Sequence, residues 1–115
     1  MCWSAGFNSP YQVGAILRKK AAGEEDTFEM NAIRIGDAAV VTAPFELFNA
    51  TGMYIKERSP FDVTFVNAYS CGSHSYLPSA NAYHDCYEWN QNRYEPGTAE
   101  IIQDEYVEML KKLAD

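Results

Sequence analysis

Apolar and polar positions alternate through the segment that begins at residue 28, and the pattern predicts a β-hairpin. The apolar positions are Phe28, Met30, Ile33 and Ile35, and they are followed by Gly36-Asp37 and the apolar run 38–41. Glycine readily adopts the positive φ of two-residue turns, so Gly36-Asp37 is expected to join two antiparallel strands. The second run does not alternate, which is typical of a strand covered on both faces.

A helix and a third strand are predicted to follow this hairpin. Pro44 suits a helix start, because the N–H that proline lacks has no partner there. Apolar residues recur at helical spacing up to Arg58, and Ser59-Pro60 ends the helix. Residues 62–68 are β-branched and aromatic. The order strand, helix, strand predicts a βαβ unit with a parallel strand pair.

A long helix is predicted to close the chain. Thr98 is placed as its N-cap and Glu100 in its first turn. One apolar stripe runs along it, formed by Ile102, Tyr106, Met109, Leu110 and Leu113. Shorter helices are expected at 13–20 and just after Ser79, and a loop at 84–97. The predicted fold is α/β: a small mixed sheet of three or four strands flanked by helices.

Length and charge narrow the class of protein. A chain of 115 residues corresponds to about one domain, here taken as residues 1–115, with 1–27 only weakly patterned. The net charge of −7 repels a phosphate backbone, which argues against nucleic acid. No apolar run reaches the ~20 residues that span a bilayer, and the first residues do not form an export signal. A cytoplasmic location is the default expectation.

The cysteines do not form a recognisable framework. Cys2, Cys71 and Cys86 show no C-x-x-C spacing, so three reduced thiols are predicted. A bridge between Cys71 and Cys86 remains open for an exported chain.

Candidate site residues lie where the predicted strands end. Glu46 follows the second strand and is placed at the helix start, and Tyr69 follows the third strand, with Tyr76 close behind. In α/β proteins ligands bind beyond the carboxyl ends of strands. If the strands are parallel neighbours, the side chains of Glu46 and Tyr69 emerge at one sheet edge.

Three segments together resemble the closing part of the neutral/alkaline non-lysosomal ceramidase family. They are AIRIGDAAVVTAPFELF, RSPFDVTFVNAYSCGSHSYLPS and YEWNQNRYEPGTAEIIQDEYVEMLKKL, covering residues 32–113. The family has an IGD turn, a Pro-Gly-Glu at a helix start, an Arg-Ser-Pro-Phe break and a strand ending in Asn-x-Tyr. The order and spacing of these motifs carry the resemblance, since no single one is decisive.

The resemblance implies an amidohydrolase that cleaves an N-acyl bond, as in ceramides, at a zinc ion bound by two histidines, a glutamate and a tyrosine. Glu46 matches the glutamate and Tyr69 the tyrosine, and Tyr76 is a nearby alternative catalytic tyrosine. Such a zinc ion lowers the pKa of a bound water towards ~7 so that hydroxide can attack a carbonyl.

The sequence also departs from the family pattern. The histidine motifs belong upstream of the matched region, and neither His74 nor His84 replaces them. Phe45 stands where the family has glycine. These departures predict a fragment that holds half a metal site, is inactive alone, binds zinc weakly or not at all, and forms a homo-oligomer or joins a missing upstream half.

Two other classes of function remain open. The chain could be a binding or interaction domain that kept the fold and lost the chemistry. It could also be a small thiol- or metal-binding protein built on the loop between Cys71 and Cys86, with His74, His84 and Asp85 as further ligands.

Overall fold

The structure, a computed structural model, describes residues 10–21, 23–82 and 86–115. The predictions that concern Cys2, His84 and Asp85 therefore lie outside the described residues. The helices are α1 (Pro10–Ala21), α2 (Asn49–Arg58), α3 (Tyr87–Gln91) and α4 (Thr98–Ala114). The strands are β1 (Asn31–Ile35), β2 (Ala38–Thr42), β3 (Glu46–Leu47), β4 (Val63–Asn67) and β5 (Tyr76–Leu77).

The predicted hairpin and βαβ unit are both confirmed. Strands β1 and β2 are antiparallel around Gly36, whose φ of 61° is readily available to glycine. Strands β2 and β4 are parallel and are connected through α2, which ends at Arg58 as Ser59-Pro60 predicted. The sheet order is β1-β2-β4, so the expected small mixed α/β sheet is present.

Helices cover one face of this sheet. Helix α4 packs against β1 and α2, and α2 packs against β4. The side chains of Ala39 and Val41 point toward these helices and are fully buried. Ala38 and Val40, which alternate with them, are only partly buried. The expectation that β2 is covered on both faces is therefore wrong within the described part of the chain, because no described helix packs on the second face.

The segment before α2 differs from the prediction. The helix begins at Asn49, and its N-cap is Phe48. Glu46 lies in the short strand β3, which pairs in parallel with β5. Glu46 is therefore not a first-turn carboxylate, and the helix dipole does not account for its position. Extended pairing with the chain after β4 replaces the helical turn that Pro44 suggested.

The last third contains two further differences. A turn occupies residues 80–82 where a short helix was expected, and the five-residue α3 lies inside the predicted loop. Helix α4 is confirmed, but Gly97 with φ 95° is its N-cap residue. The Thr98 hydroxyl donates to the Glu95 carbonyl at 2.8 Å, and so it does not cap the helix amides.

The core centres on the predicted stripe of α4. Ile102, Tyr106 and Leu110 are buried in one cluster with Val41 and Ile55. Tyr106 is fully buried, and its hydroxyl donates a 2.7 Å hydrogen bond to the Thr42 carbonyl at the end of β2. This bond joins the long helix to the central strand. None of the helices in the described segments is both long and apolar enough to cross a bilayer.

Tyr106→Phe is expected to lower the free energy of unfolding by about 1–2 kcal/mol, because it removes a buried hydrogen bond and leaves the ring in place. Urea denaturation measures the change. Tyr54→Phe is the matched control, since it removes the same atom from an exposed 2.6 Å bond to Asp104. An equal loss in both variants would contradict the central role of the Tyr106 bond.

Candidate active site

Two chain segments meet just beyond the carboxyl ends of β2 and β4. Residues 43–46 and 67–75 are joined by five backbone hydrogen bonds of 2.7–3.0 Å, which include Tyr69 N–H to the Phe45 carbonyl and His74 N–H to the Pro44 carbonyl. The Glu46 N–H donates to the Ser75 carbonyl and leads into the β3-β5 pair. At the sheet edge that the sequence predicted, the two segments therefore form a continuous ladder of backbone hydrogen bonds.

Glu46 and Tyr76 are direct neighbours across this ladder. They are paired in register between β3 and β5, so both side chains lie on the same side of the strand pair. The Tyr76 hydroxyl donates to the Glu46 carboxylate, and that hydrogen bond, followed by desolvation and the carboxylate charge, raises the pKa of Tyr76 to about 12. Tyr76 is therefore a protonated hydrogen-bond donor at neutral pH.

A cavity of about 400 Å³ opens beside this pair. Its lining combines the two polar groups with apolar and acidic neighbours: Glu46, Leu47, Phe48, Asn49, Tyr76, Cys86 and Glu88. The Tyr76 ring also makes an edge-to-face contact with Tyr87, with centroids 5.9 Å apart. A carboxylate, a phenol and an apolar wall can together orient a ligand that has one polar group and one hydrocarbon part.

Tyr69 lies outside the lining of this cavity. Its side chain is 57% exposed, and its backbone has a left-handed φ of 53°. The Tyr69 hydroxyl accepts a 3.1 Å hydrogen bond from Ser73. The structure brings the Tyr69 backbone next to Phe45, but a shared action of Glu46 and Tyr69 on one point stays a prediction.

Phe45 has a clear packing role. Its side chain is fully buried and makes edge-to-face contacts with Phe28 and Tyr94, at centroid distances of 4.8 and 5.5 Å. Alternation along an extended segment sends neighbouring side chains to opposite sides. Phe45 therefore enters the core while Glu46 faces the cavity, so the bulk of this residue lies away from the Glu46–Tyr76 pair.

A second polar cluster joins three loops on the other side of Phe45. The Asp26 carboxylate accepts a hydrogen bond from the Tyr94 hydroxyl and contacts His74 Nδ1 at 2.9 Å. The Tyr94 bond is the main cause that lowers the pKa of Asp26, and burial raises the pKa of Tyr94. His74 also packs on Phe28, so it is a partly buried residue with a carboxylate partner.

Solved structures with the same arrangement identify the fold. A ceramidase complexed with C2 superimposes with a TM-score of 0.68 and 24% identity, over 74% of this chain and 14% of that one. The neutral ceramidase from Pseudomonas aeruginosa gives 0.65 and 25% over 73% of this chain and 15% of the enzyme. The chain folds like part of a neutral ceramidase. No protein-family model and no curated protein sequence matches it.

The ceramidase likeness found in the sequence is thus confirmed at the level of fold. The chain spans only about one seventh of the ceramidase chains that it matches. A likeness over so small a share of the ceramidase chains shows the fold of this segment. It does not show the activity of a whole ceramidase.

The side chains present do not by themselves fit the zinc site that the ceramidase resemblance implies. Within the described segments, no three His, Cys, Asp or Glu side chains are grouped as metal ligands. Structural and catalytic zinc sites use three or four protein ligands, and Glu46 is one carboxylate.

The cysteines are likewise separate. Cys71 and Cys86 are not joined by a disulfide in the described part of the chain. Cys71 is exposed near Gly72 in the loop after Tyr69, and Cys86 lines the cavity of the ceramidase-like edge.

Sequence reasoning missed the Glu46–Tyr76 pairing and the role of Asp26. Strands β3 and β5 are two residues each, which is too short for alternation to predict a register. Asp26 lies in an acidic run that reads as a solvated loop, and its partner Tyr94 is 68 residues away. The sequence did place Glu46 and the tyrosines that follow strand ends near this sheet edge, but it gave no sign of which tyrosine pairs with Glu46.

Glu46→Gln is expected to lower the pKa of Tyr76 from about 12 towards 10, because the anionic acceptor that opposes phenolate formation is lost. NMR titration with ¹³Cζ-labelled tyrosine follows the single residue. Glu88→Gln is the control, since Glu88 is a weaker influence on Tyr76, and it should shift the pKa less. An unchanged Tyr76 pKa in Glu46→Gln would contradict the pairing.

Asp26→Asn is expected to lower the melting temperature at pH 7 and to lower it less at pH 2.5. The pKa of Asp26 is depressed in the folded state, so the stability from its charge is present above about 3.8 and is lost as the pH falls through the folded value. Differential scanning calorimetry at both pH values checks the sign. Glu24→Gln, in the same acidic loop, should change neither value appreciably.

Proposed function

We propose that this chain supplies one edge of the active site of a ceramidase-like amidohydrolase, and that it does not hydrolyse amides by itself. The fold likeness to two ceramidases supports the class. The observation that carries the proposal is the in-register pair of Glu46 and Tyr76 at the mouth of a cavity, at the place in the fold where strands β2 and β4 end.

The chemistry of the pair suits an amide substrate. Amide hydrolysis needs a donor for the carbonyl oxygen as negative charge develops on it, and a group that handles protons at the departing amine. The Tyr76 phenol keeps its proton at neutral pH, and its single O–H would turn from Glu46 to the substrate carbonyl when the amide binds. The Glu46 carboxylate can accept a proton. Tyr69, which is exposed in the loop before Tyr76, is proposed to supply a further hydroxyl group to the complete site.

The substrate class is proposed to be an N-acyl lipid. Leu47 and Phe48 give the cavity an apolar wall next to its carboxylate, as an amide that carries a hydrocarbon chain requires. Both similar structures are ceramidases, and ceramide is an amide of this kind.

The proposal assigns the remaining site groups to polypeptide beyond the described residues. Glu46 is a single carboxylate without grouped metal ligands among the residues described. In the complete site, zinc would supply a Lewis acid and an activated water. The isolated chain is proposed to gain little from zinc, because a site with one or two ligands binds the ion weakly.

The test places residues 28–113 into the Pseudomonas aeruginosa neutral ceramidase, in exchange for its structurally matched segment. The folded chimera, checked by circular dichroism, is expected to hydrolyse a fluorescent N-acylsphingosine, and Glu46→Gln is expected to lower its kcat/KM by at least about a hundredfold. Glu88→Gln, on the cavity rim, should stay within about threefold. The isolated chain should show no hydrolysis and no thermal shift with zinc.

Two results would contradict the proposal. A folded chimera that keeps full activity with Glu46→Gln would remove the pair from the chemistry. Zinc-dependent turnover by the isolated chain would show a complete site. A chimera that folds and binds the lipid without hydrolysing it would instead favour the second candidate, a binding domain that kept the fold. The observation that supports this candidate is the Glu46–Tyr76 hydrogen bond, which occupies both polar groups with each other.

A further inference from the structure

Tyr87, the first residue of α3, packs against the ring of Tyr76. The two rings meet edge to face, with centroids 5.9 Å apart and an interplanar angle of 84°, which is a favoured geometry for a pair of aromatic side chains. The chain neighbours of Tyr87, Cys86 and Glu88, line the cavity that also contains Tyr76. The Tyr87 ring therefore borders the candidate site and touches it through Tyr76.

The strand that carries Tyr76 does not by itself fix the direction of this side chain. Strand β5 has two residues, and the second, Leu77, is buried in the core. Because side chains alternate along a strand, Tyr76 points away from that core. Two χ1 rotamers are common for residues in strands, and a change from one to the other would carry the hydroxyl away from Glu46. A contact on the ring is needed to select one of them.

Helix α3 is held against β5 by groups other than these two rings, so Tyr87 has a defined position. The Ser75 hydroxyl donates a 2.6 Å hydrogen bond to the carbonyl of Gln91, the last residue of α3. Asn92, directly after the helix, is only 4% exposed. Its side chain donates to the Tyr94 carbonyl and accepts from the Tyr94 N–H, at 2.8 Å each. The helix can therefore serve as a fixed support for the Tyr76 ring.

We propose that Tyr87 is a positioning residue, whose ring holds Tyr76 in the rotamer that presents the phenol hydroxyl to Glu46. Its catalytic consequence rests on the function proposed above. With the ring held in place, the O–H can turn from Glu46 to a bound carbonyl by rotation about a single C–O bond. An edge-to-face pair favours its own geometry by roughly two- to tenfold. Loss of the Tyr87 ring should therefore raise the share of Tyr76 that is not bonded to Glu46 by this factor.

The first test is the pKa of Tyr76 in the full chain, followed by NMR titration with ¹³Cζ-labelled tyrosine. Tyr87→Ala is expected to lower this pKa from about 12 by roughly 0.3 to 1 pH unit, because a tenfold larger unbonded share corresponds to one unit. Tyr87→Phe keeps the ring and should leave the pKa within about 0.2 pH unit of the wild-type value. Ile101→Ala is the control for truncation of an exposed side chain, since Ile101 is 68% exposed on α4.

A double-mutant cycle with Glu46→Gln separates positioning from simple burial of the phenol. If Tyr87 acts through the hydrogen bond to Glu46, Tyr87→Ala should change the Tyr76 pKa by less than about 0.2 pH unit once that carboxylate is absent. If the ring only shields Tyr76 from water, the same lowering appears in both backgrounds, and this result overturns the proposal. So does an unchanged pKa in Tyr87→Ala, or a Tyr87→Phe variant that behaves like it.

The second test measures turnover in the ceramidase chimera. Tyr87→Ala is expected to lower kcat by about two- to tenfold and to leave KM within about twofold, because a positioned donor acts on the developing charge. Tyr87→Phe should keep both constants. A higher KM with unchanged kcat would make Tyr87 a binding residue and would overturn the proposal.

The two tests separate this proposal from the proposed function. A chimera that is inactive, or active but insensitive to Glu46→Gln, contradicts the proposed function, whereas the pKa cycle in the full chain still decides whether Tyr87 positions Tyr76. Circular dichroism checks that each variant is folded. Tyr87→Leu, which keeps apolar bulk and removes the aromatic ring, takes the place of Tyr87→Ala if that variant does not fold, with the same expected lowering of the Tyr76 pKa.

Discussion

The backbone ladder between residues 43–46 and 67–75 is the constraint on which the rest of the candidate site depends. Its hydrogen bonds continue the parallel pairing of β2 and β4 past the ends of both strands. The Glu46 N–H and the Ser75 carbonyl extend it into the β3-β5 pair, where Glu46 and Tyr76 face each other. Without the ladder, the carboxylate and the phenol would lie on independent loops and would share neither a hydrogen bond nor a cavity.

The ladder also divides the chemistry of neighbouring residues between two sides. Phe45 turns inward and contacts Phe28 and Tyr94, while Glu46 turns outward to Tyr76. These aromatic contacts fix the position of Phe45, so the partly buried Glu46 next to it is held in place by a packed neighbour. The Asp26–His74–Tyr94 cluster ties the flanking loops to the same aromatic group. The result is a polar edge supported by packed aromatic side chains.

The sequence predicted elements well where one signal acted over many residues. The stripe on α4, the Gly36-Asp37 turn and the Ser59-Pro60 stop each depend on local physics, and each holds in the structure. It failed where distant contacts compete with local preference. Pro44 is compatible with a helix start, but the chain around Glu46 gains more hydrogen bonds by pairing with residues 75–76. The prediction that both faces of β2 are covered was wrong for a related reason. An apolar strand sequence does not indicate whether another element packs on each face.

The sequence by itself determined an acidic α/β domain, its hairpin and βαβ order, and the resemblance that led to ceramidases, because periodicity, turn residues and spacing are properties of the chain alone. It also placed Glu46, Tyr69 and Tyr76 near one sheet edge. Only the tertiary structure decided that Tyr76 is the partner of Glu46, that Asp26 joins His74 and Tyr94, and that one apolar sheet face stays open. These are facts of register and long-range packing, and residues separated by 30 to 68 positions carry no local signal of their contact.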